Sequence, residues 1–246
     1  MALDQARAQA EAGSSVDHDA PVLRSLFSSG VTQRLKRRQK VKLDELSGPH
    51  LFFVQQGVLA TQLEMAGARR SLVSFHFAGD IIASEQFAGM ATSAISLTSS
   101  QVRALPLRTI EAKFAGNEVA ASALVHALER QARFAHLHCA MLMQLTGEER
   151  VATFLILLAL RQVRTLAEQR IDVPMPVGRK DIGDYLGLNA DTVSRIFTRL
   201  RQSGVIEPHG RSEAGILDWR ALCSLSPLSA AFLQGDNEKG GNSRPL

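Results

Sequence analysis

The sequence predicts an α+β chain with an N-terminal antiparallel β-domain of roll or sandwich type, one long helix, and a C-terminal winged helix-turn-helix. Three observations predict it. Short apolar runs punctuated by glycines fill residues 31–107, an unbroken helical pattern follows from roughly Asn117 to Leu145, and Arg179 to Gly204 carries two apolar stripes joined at a glycine corner. Length and composition permit this, since 246 residues at 45% hydrophobic content suffice for one large or two modest domains with a proper core.

In chain order, residues 1–20 are Ala, Gln, Ser and Asp without strong periodicity, and a disordered tail is expected. Residues 21–116 form the β-domain. Its strands are predicted from Leu51-Phe-Phe-Val54, Val58-Leu59, Leu72-Val73, Phe75 and Phe77, Ile81-Ile82 and Ala94 to Leu97, separated by Gly57, Gly67, Gly79 and Gly89, with Gly79-Asp80 as a turn. Between Lys36 and His50 an altered or partly missing strand pair is expected, and the basic run Arg34, Lys36, Arg37, Arg38, Lys40, Lys42 reads as a solvated strand face, with DNA or polymerase contact as the alternative. Residues 117–145 are the long helix. Along it Ala121, Val125, Leu128, Ala132, Ala135, Cys139 and Leu142 step alternately by four and three with no polar member, the spacing that keeps one apolar line facing a partner helix. The seam predicts a helix dimer; packing of the same line on the β-domain is the other reading.

Residues 146–227 hold the helix-turn-helix, and 228–246, ending in Gly, Asn and charge, are expected to be a second tail. Ile182, Tyr185 and Leu186 share one face of a short helix that Gly187 ends, because glycine readily adopts the left-handed conformation that closes the last turn. Asn189 is a capping residue for the next helix, whose buried stripe is Val193, Ile196, Phe197 and Leu200. Ala190, Asp191, Ser194, Arg195, Arg199 and Arg201 fall on the outer faces. A helix entering the major groove needs short hydrogen-bonding groups near its start and cations further along, and this face has both. Val205-Ile206 and Ile216-Leu217 are predicted as wing strands around the turn-like Pro208-His209-Gly210-Arg211.

Net charge of +4 and a pI near 9.4 permit a nucleic-acid partner without demanding one. Two cysteines, Cys139 and Cys223, offer neither a disulfide framework nor a four-thiolate site. With no apolar stretch of membrane-spanning length and no signal core, a cytoplasmic protein with no membrane partner is expected. An enzyme is not expected: no nucleophile elbow, P-loop, GxGxxG or HExxH is present, and the seven histidines are scattered.

Asp181-Ile-Gly-Asp-Tyr-Leu-Gly-Leu-Asn-Ala-Asp-Thr-Val-Ser-Arg195 resembles the CRP/FNR superfamily of bacterial transcription regulators, and its FNR/FixK branch in particular. The resemblance extends to Glu148-Glu-Arg-Val-Ala-Thr-Phe154 and Phe75-His-Phe-Ala-Gly-Asp80 and covers most of residues 30–220. It implies a jelly-roll-like β-roll sensor, a dimerisation helix, a winged helix and a homodimer on a symmetric site similar to TTGAT-N4-ATCAA. The resemblance places base reading on Asp191, Ser194 and Arg195, flanked by Ala190. Arg179, Lys180, Arg199 and Arg201 are read as phosphate contacts or solvated charge. One departure is Asp191, where the family has glutamate; the shorter carboxylate alters its reach toward a cytosine amino group. The loop Ile81 to Met90 resembles the segment through which FNR-type activators touch RNA polymerase.

The resemblance also raises the question of a cofactor, and none is expected. An iron–sulfur cluster needs about four thiolates, and this chain has two cysteines. The phosphate pocket of cyclic-nucleotide binders has Gly-Glu and Arg-Ser pairs where Gly79-Asp80 and Thr92-Ser93 stand, so no arginine clamps the phosphate of cAMP. Haem stays open, with His76 as the candidate axial ligand and a strand histidine hydrogen-bonded to backbone as the other reading. The reading is thus a cofactor-independent homodimeric regulator of low-oxygen, nitrogen-oxide or respiratory genes. A haem-dependent gas sensor and an interaction module that has lost DNA binding remain as alternatives.

Overall fold

The computed structural model describes residues 15–43, 47–65, 69–84, 92–163, 170–209 and 213–234. In chain order these form α1 (Ser15–Leu26), β1 (Val31–Leu35), β2 (Lys40–Lys42), β3 (His50–Gln56), β4 (Leu59–Met65), β5 (Arg69–His76), β6 (Ile81–Ala83), β7 (Thr92–Ser96) and β8 (Ser100–Pro106). Then follow α2 (Leu107–Phe114), α3 (Glu118–Gln144), α4 (Gly147–Gln162), β9 (Ile171–Pro174), α5 (Arg179–Leu186), α6 (Ala190–Gln202), β10 (Ile206–His209), β11 (Glu213–Ile216), α7 (Trp219–Ser224) and α8 (Ser229–Gln234). The chain divides into two compact units, one of residues 16–136 with 176–189 and one of 137–175 with 190 onward.

In the first unit two antiparallel sheets, β1-β8-β3-β6 and β2-β7-β4-β5, make the β-roll. The run Leu51-Phe-Phe-Val54 is buried throughout β3 because both faces of that strand are covered. Phe52 and Val54 pack with Leu35, Leu59, Ile82, Ala94 and Val102. Phe53 points the other way, into a cluster with Leu23, Phe27, Ile110, Ala123 and Leu124 from the helices. Phe27 and Phe53 stack with centroids 5.5 Å apart. Gly57 turns β3 into β4 at φ 88, where an added Cβ would meet the Ser99 carbonyl at 2.7 Å.

Three expectations need correction. The first tail does not extend to residue 20, because Ser15–Leu26 is helical and Leu23 is fully buried; the apolar positions Leu23, Leu26 and Phe27 anchor a segment whose upstream half is compositionally weak. The second tail likewise does not begin at residue 228, since Ser229–Gln234 is helical. The basic run is not one strand face. Lys36 to Gln39 is a tight turn, with the Gln39 N–H donating to the Lys36 carbonyl at 3.0 Å and Arg38 at φ 69. The short β2 pairs with β7, and residues 44–46 lie outside the described residues.

The second unit is built on α4, whose entry is closed by a reciprocal capping box. The Thr146 N–H donates to Glu149 Oε2 at 2.7 Å and the Glu149 N–H returns to Thr146 Oγ1 at 3.4 Å. Val151, Phe154, Leu155 and Leu158 are buried, and α4 packs on α6, α7 and β9. The wing is a three-stranded sheet, β10-β11-β9, so the two predicted strands gain a third partner, Ile171–Pro174. Its turn at residues 210–212 lies outside the described residues.

Candidate nucleic-acid interface

Helix α5 forms where three buried residues, Ile182, Tyr185 and Leu186, meet a glycine stop. Gly187 sits at φ 65 and ψ 34, its N–H bonding the Gly183 carbonyl, and the Leu188 N–H reaches the same oxygen at 3.0 Å. Asp181, in its first turn, accepts from the Gly178 N–H at 3.3 Å. From the β-roll, Arg38 grips the same carboxylate bidentately at 3.0 and 2.5 Å. Burial pulls the Asp181 carboxyl up, but the hydrogen bonds and charge of Arg38, with Gly178 and Arg70, outweigh it and hold the group below its ordinary value. Arg38 is raised in turn, chiefly by its bond to Asp181. Arg70 Nε lies 3.4 Å from Asp184 Oδ2, and the Phe75 and Tyr185 rings meet edge-on at 4.7 Å. None of these three contacts was legible beforehand. Their partners lie over a hundred positions apart in the sequence, and no local pattern marks a carboxylate for a distant arginine.

Helix α6 is organised by its own amphipathicity. Val193, Ile196, Phe197 and Leu200 are buried, as the stripe predicts, and Asp191, Ser194, Arg195, Arg199 and Arg201 are exposed, with Ala190 half-buried. Ser194 donates its hydroxyl to the Ala190 carbonyl at 2.8 Å, which parks the proton on its own helix and leaves oxygen lone pairs facing outward. Asp191 stands in the first turn, where the helix dipole favours its charge. Arg199 is engaged by Glu148 at 3.0 Å, so a phosphate would have to displace that pair. Arg179 is half-buried and burial lowers its guanidinium from the usual value, whereas Lys180 is exposed. The outward face therefore places a short acceptor, Ser194, and an exposed guanidinium, Arg195, at adjacent positions, the chemistry that reads base edges.

On α3, the predicted seam faces outward: Val125, Leu128, Ala132, Ala135 and Cys139 are exposed, and Ala121 and Leu142 half-buried. A different stripe, Ala120, Ala123, Leu124 and Ala127, packs into the helical cluster of the first unit. Val119 and Met143 add exposed apolar surface that the seam did not include.

His76 is buried, and its Nε2 lies 2.8 Å from both the Thr61 and Ser74 hydroxyls, so its partners include side chains and not backbone alone. Any axial ligation through that atom would have to displace both. Asp80 is spent on structure, its carboxylate accepting from the Phe77 N–H at 2.8 Å. Of the Ile81 to Met90 segment, residues 85–90 lie outside the described residues. Among the described residues no helix is long and apolar enough to cross a membrane.

Known proteins share this organisation. The profile of the Crp-like helix-turn-helix domain matches residues 149–225. The transcriptional activator protein FnrA of Stutzerimonas stutzeri is 31% identical over 182 residues, 72% of each chain. The nitrogen fixation regulation protein FixK of Azorhizobium caulinodans is 27% identical over 213 residues, 87% of this chain and 86% of its own. The structure of FixK2 from Bradyrhizobium japonicum superposes with a TM-score of 0.68 at 24% identity, covering 80% of this chain and 97% of that one.

Proposed function

The chain belongs to the CRP/FNR family of DNA-binding transcription regulators, with FixK-like relatives, and from that premise we propose that it is a cofactor-independent homodimeric activator reading a palindrome similar to TTGAT-N4-ATCAA. The observation that carries this reading is the exposed face of α6, on which Asp191, Ser194 and Arg195 stand clear of the buried stripe. Arg195 is the principal discriminator, because a guanidinium bonding guanine bidentately contributes about 1–3 kcal/mol. Ser194 and Asp191 offer acceptors to base amino groups, and Lys180 and Arg201 neutralise phosphates.

Dimerisation through the exposed α3 seam brings two such helices to successive major grooves, about 34–36 Å apart. The branch of the family supports target genes of low-oxygen, nitrogen-oxide or respiratory metabolism and RNA polymerase as the protein partner. The two hydroxyls on His76 and the two-cysteine count support operation without haem or a cluster.

The test is a titration of air-exposed purified protein, its absorbance spectrum recorded, against a labelled TTGAT-N4-ATCAA duplex and a scrambled one. Selective binding by a protein without a Soret band is expected. Equal affinity for both duplexes would overturn the site, and a Soret band would overturn the cofactor-free reading.

A further inference from the structure

The turn between β1 and β2 carries three consecutive cations, Lys36, Arg37 and Arg38, and is bonded through Arg38 to the helix-turn-helix. We propose that this turn, Lys36-Arg37-Arg38-Gln39, is a second phosphate-binding element for duplex DNA, held against α5 by Arg38. Four observations carry it. Arg38 is the only non-glycine residue of positive φ among the described residues, a conformation that side chains seldom adopt and that persists where surrounding contacts over-determine it. The turn is pinned on the roll side as well, by the Lys36 N–H to Gln39 Oε1 at 3.0 Å and the Arg38 N–H to the Ser96 carbonyl at 2.7 Å. The Arg38 side chain spans to Asp181 in the first turn of α5. Lys36 and Arg37, next to it, are exposed and enter no ion pair among the described residues, whereas Arg38, Lys40 and Arg70 around them are matched by Asp181, Glu64 and Asp184.

In a helix-turn-helix complex the first helix crosses the DNA backbone. A turn tied to the start of α5 therefore travels with a helix that meets phosphate, and the exposed Lys36 and Arg37 immediately precede the Arg38 that makes the tie, as the exposed Lys180 immediately precedes Asp181 on the helix. Among the described residues the acids that face these cations, Asp181, Glu64 and Asp184, are each paired, which leaves the charge of Lys36 and Arg37 positive and complementary to phosphate. Such a site carries no sequence information and adds affinity to every duplex.

This inference rests on duplex binding by the chain but not on the proposed palindrome. The experiment measures affinity against salt for wild type, Lys36→Gln/Arg37→Gln, Arg38→Gln, and the control Arg24→Gln/Arg108→Gln, which removes two exposed charges from α1 and α2. Both a palindromic and a scrambled duplex are used, and thermal melting checks the fold. The log–log salt slope of the turn double variant is expected to be shallower by about 1.8 per protomer, at about 0.9 per phosphate lost, with equal weakening on both duplexes. Arg38→Gln, which frees the turn from Asp181, moves the slope the same way; the control does not. Wild-type slopes in the turn variants, an equal loss in the control, or a loss confined to the palindrome each overturn the proposal. Unchanged duplex binding with reduced transcription in vitro also overturns it and assigns the turn to a protein partner. A wild type that binds no duplex overturns both this inference and the proposed function, whereas selective failure on the palindrome alone touches only the latter.

Discussion

Helix α6 hides Val193, Ile196, Phe197 and Leu200 and leaves Asp191, Ser194 and Arg195 exposed, whereas α5, separated from it by the three residues 187–189, has Asp181, Asp184 and Tyr185 engaged by Arg38, Arg70 and Phe75 of the β-roll. One helix of the motif is thus shaped by its own periodicity and keeps its outer polar side chains exposed. The other is held by long-range ionic and aromatic contacts. The difference teaches that exposure of the outer face of α6 and placement of α5 rest on separate residues. If the proposed reading holds, changes on the outer face of α6 alter which DNA is bound, while changes around Arg38 alter how firmly α5 is held to the roll.

The comparison breaks most severely at the stripe of α6. Phe197→Ala removes a buried ring and is expected to cost about 3–5 kcal/mol of stability, read as a lowered denaturation midpoint, together with all selective binding. Arg195→Ala sharpens it instead, leaving the midpoint unchanged while discrimination between palindromic and scrambled duplex falls by about 1–3 kcal/mol per half-site in a mobility-shift titration. An unchanged ratio would remove Arg195 from base reading.

At α5 the expected effect is smaller. Asp181→Asn keeps the shape and loses the charge that Arg38 grips, at about 1–2 kcal/mol, below the value of a fully buried pair because the Arg38 side chain is 45% exposed. Its pH dependence has a definite sign. The folded pKa of Asp181 is depressed, so its stabilisation is complete above the ordinary value of 3.8 and is lost as pH falls through the lower folded value. Wild type and Asp181→Asn should therefore differ in urea unfolding near neutrality and converge in strong acid; a constant gap would exclude the ion pair as the cause. Gly187→Ala, at φ 65, should cost about 1 kcal/mol in the same assay through left-handed strain alone.

The weakest effect concerns the thiols. Burial pushes the Cys223 thiol up to about 12, while Cys139 is exposed on α3. A thiol reagent at mild alkaline pH should modify Cys139 and spare Cys223 in the native protein, and modification of Cys139 should slow with rising concentration if α3 self-associates. Equal reactivity of the two would contradict the burial.

Elements whose residues satisfy one another locally were legible in the sequence. The left-handed Gly187, the stripe of α6, the β3 run at Leu51–Val54 and the long helix all rest on spacing within a few residues. The departures arise where distant partners decide. Residues 15–20 read as part of a polar tail, yet belong to helix α1, whose Val22, Leu23 and Leu26, with the following Phe27, pack with Phe53 and Ile110 of the roll cluster. Lys36 to Lys42 reads as a charged strand, but the return of β2 to β7 forces a turn at Arg38. His76 reads as bonded to backbone, while its Nε2 meets the Ser74 hydroxyl two positions earlier on its own face of β5 and the Thr61 hydroxyl, which only the pairing of β4 with β5 brings close.

By itself the sequence determined that this chain has a β-domain, a long helix with an apolar seam and a helix-turn-helix whose second helix carries Asp191, Ser194 and Arg195 on its outer face, because periodicity and glycine stops act over short range. Tertiary structure alone decided that Arg38, in the left-handed region at the turn, would bond Asp181, and that Lys36 and Arg37 next to it would stand exposed without an ion pair among the described residues. An ion pair spanning 143 positions depends on where folded surfaces meet, and no local preference of either residue encodes that meeting.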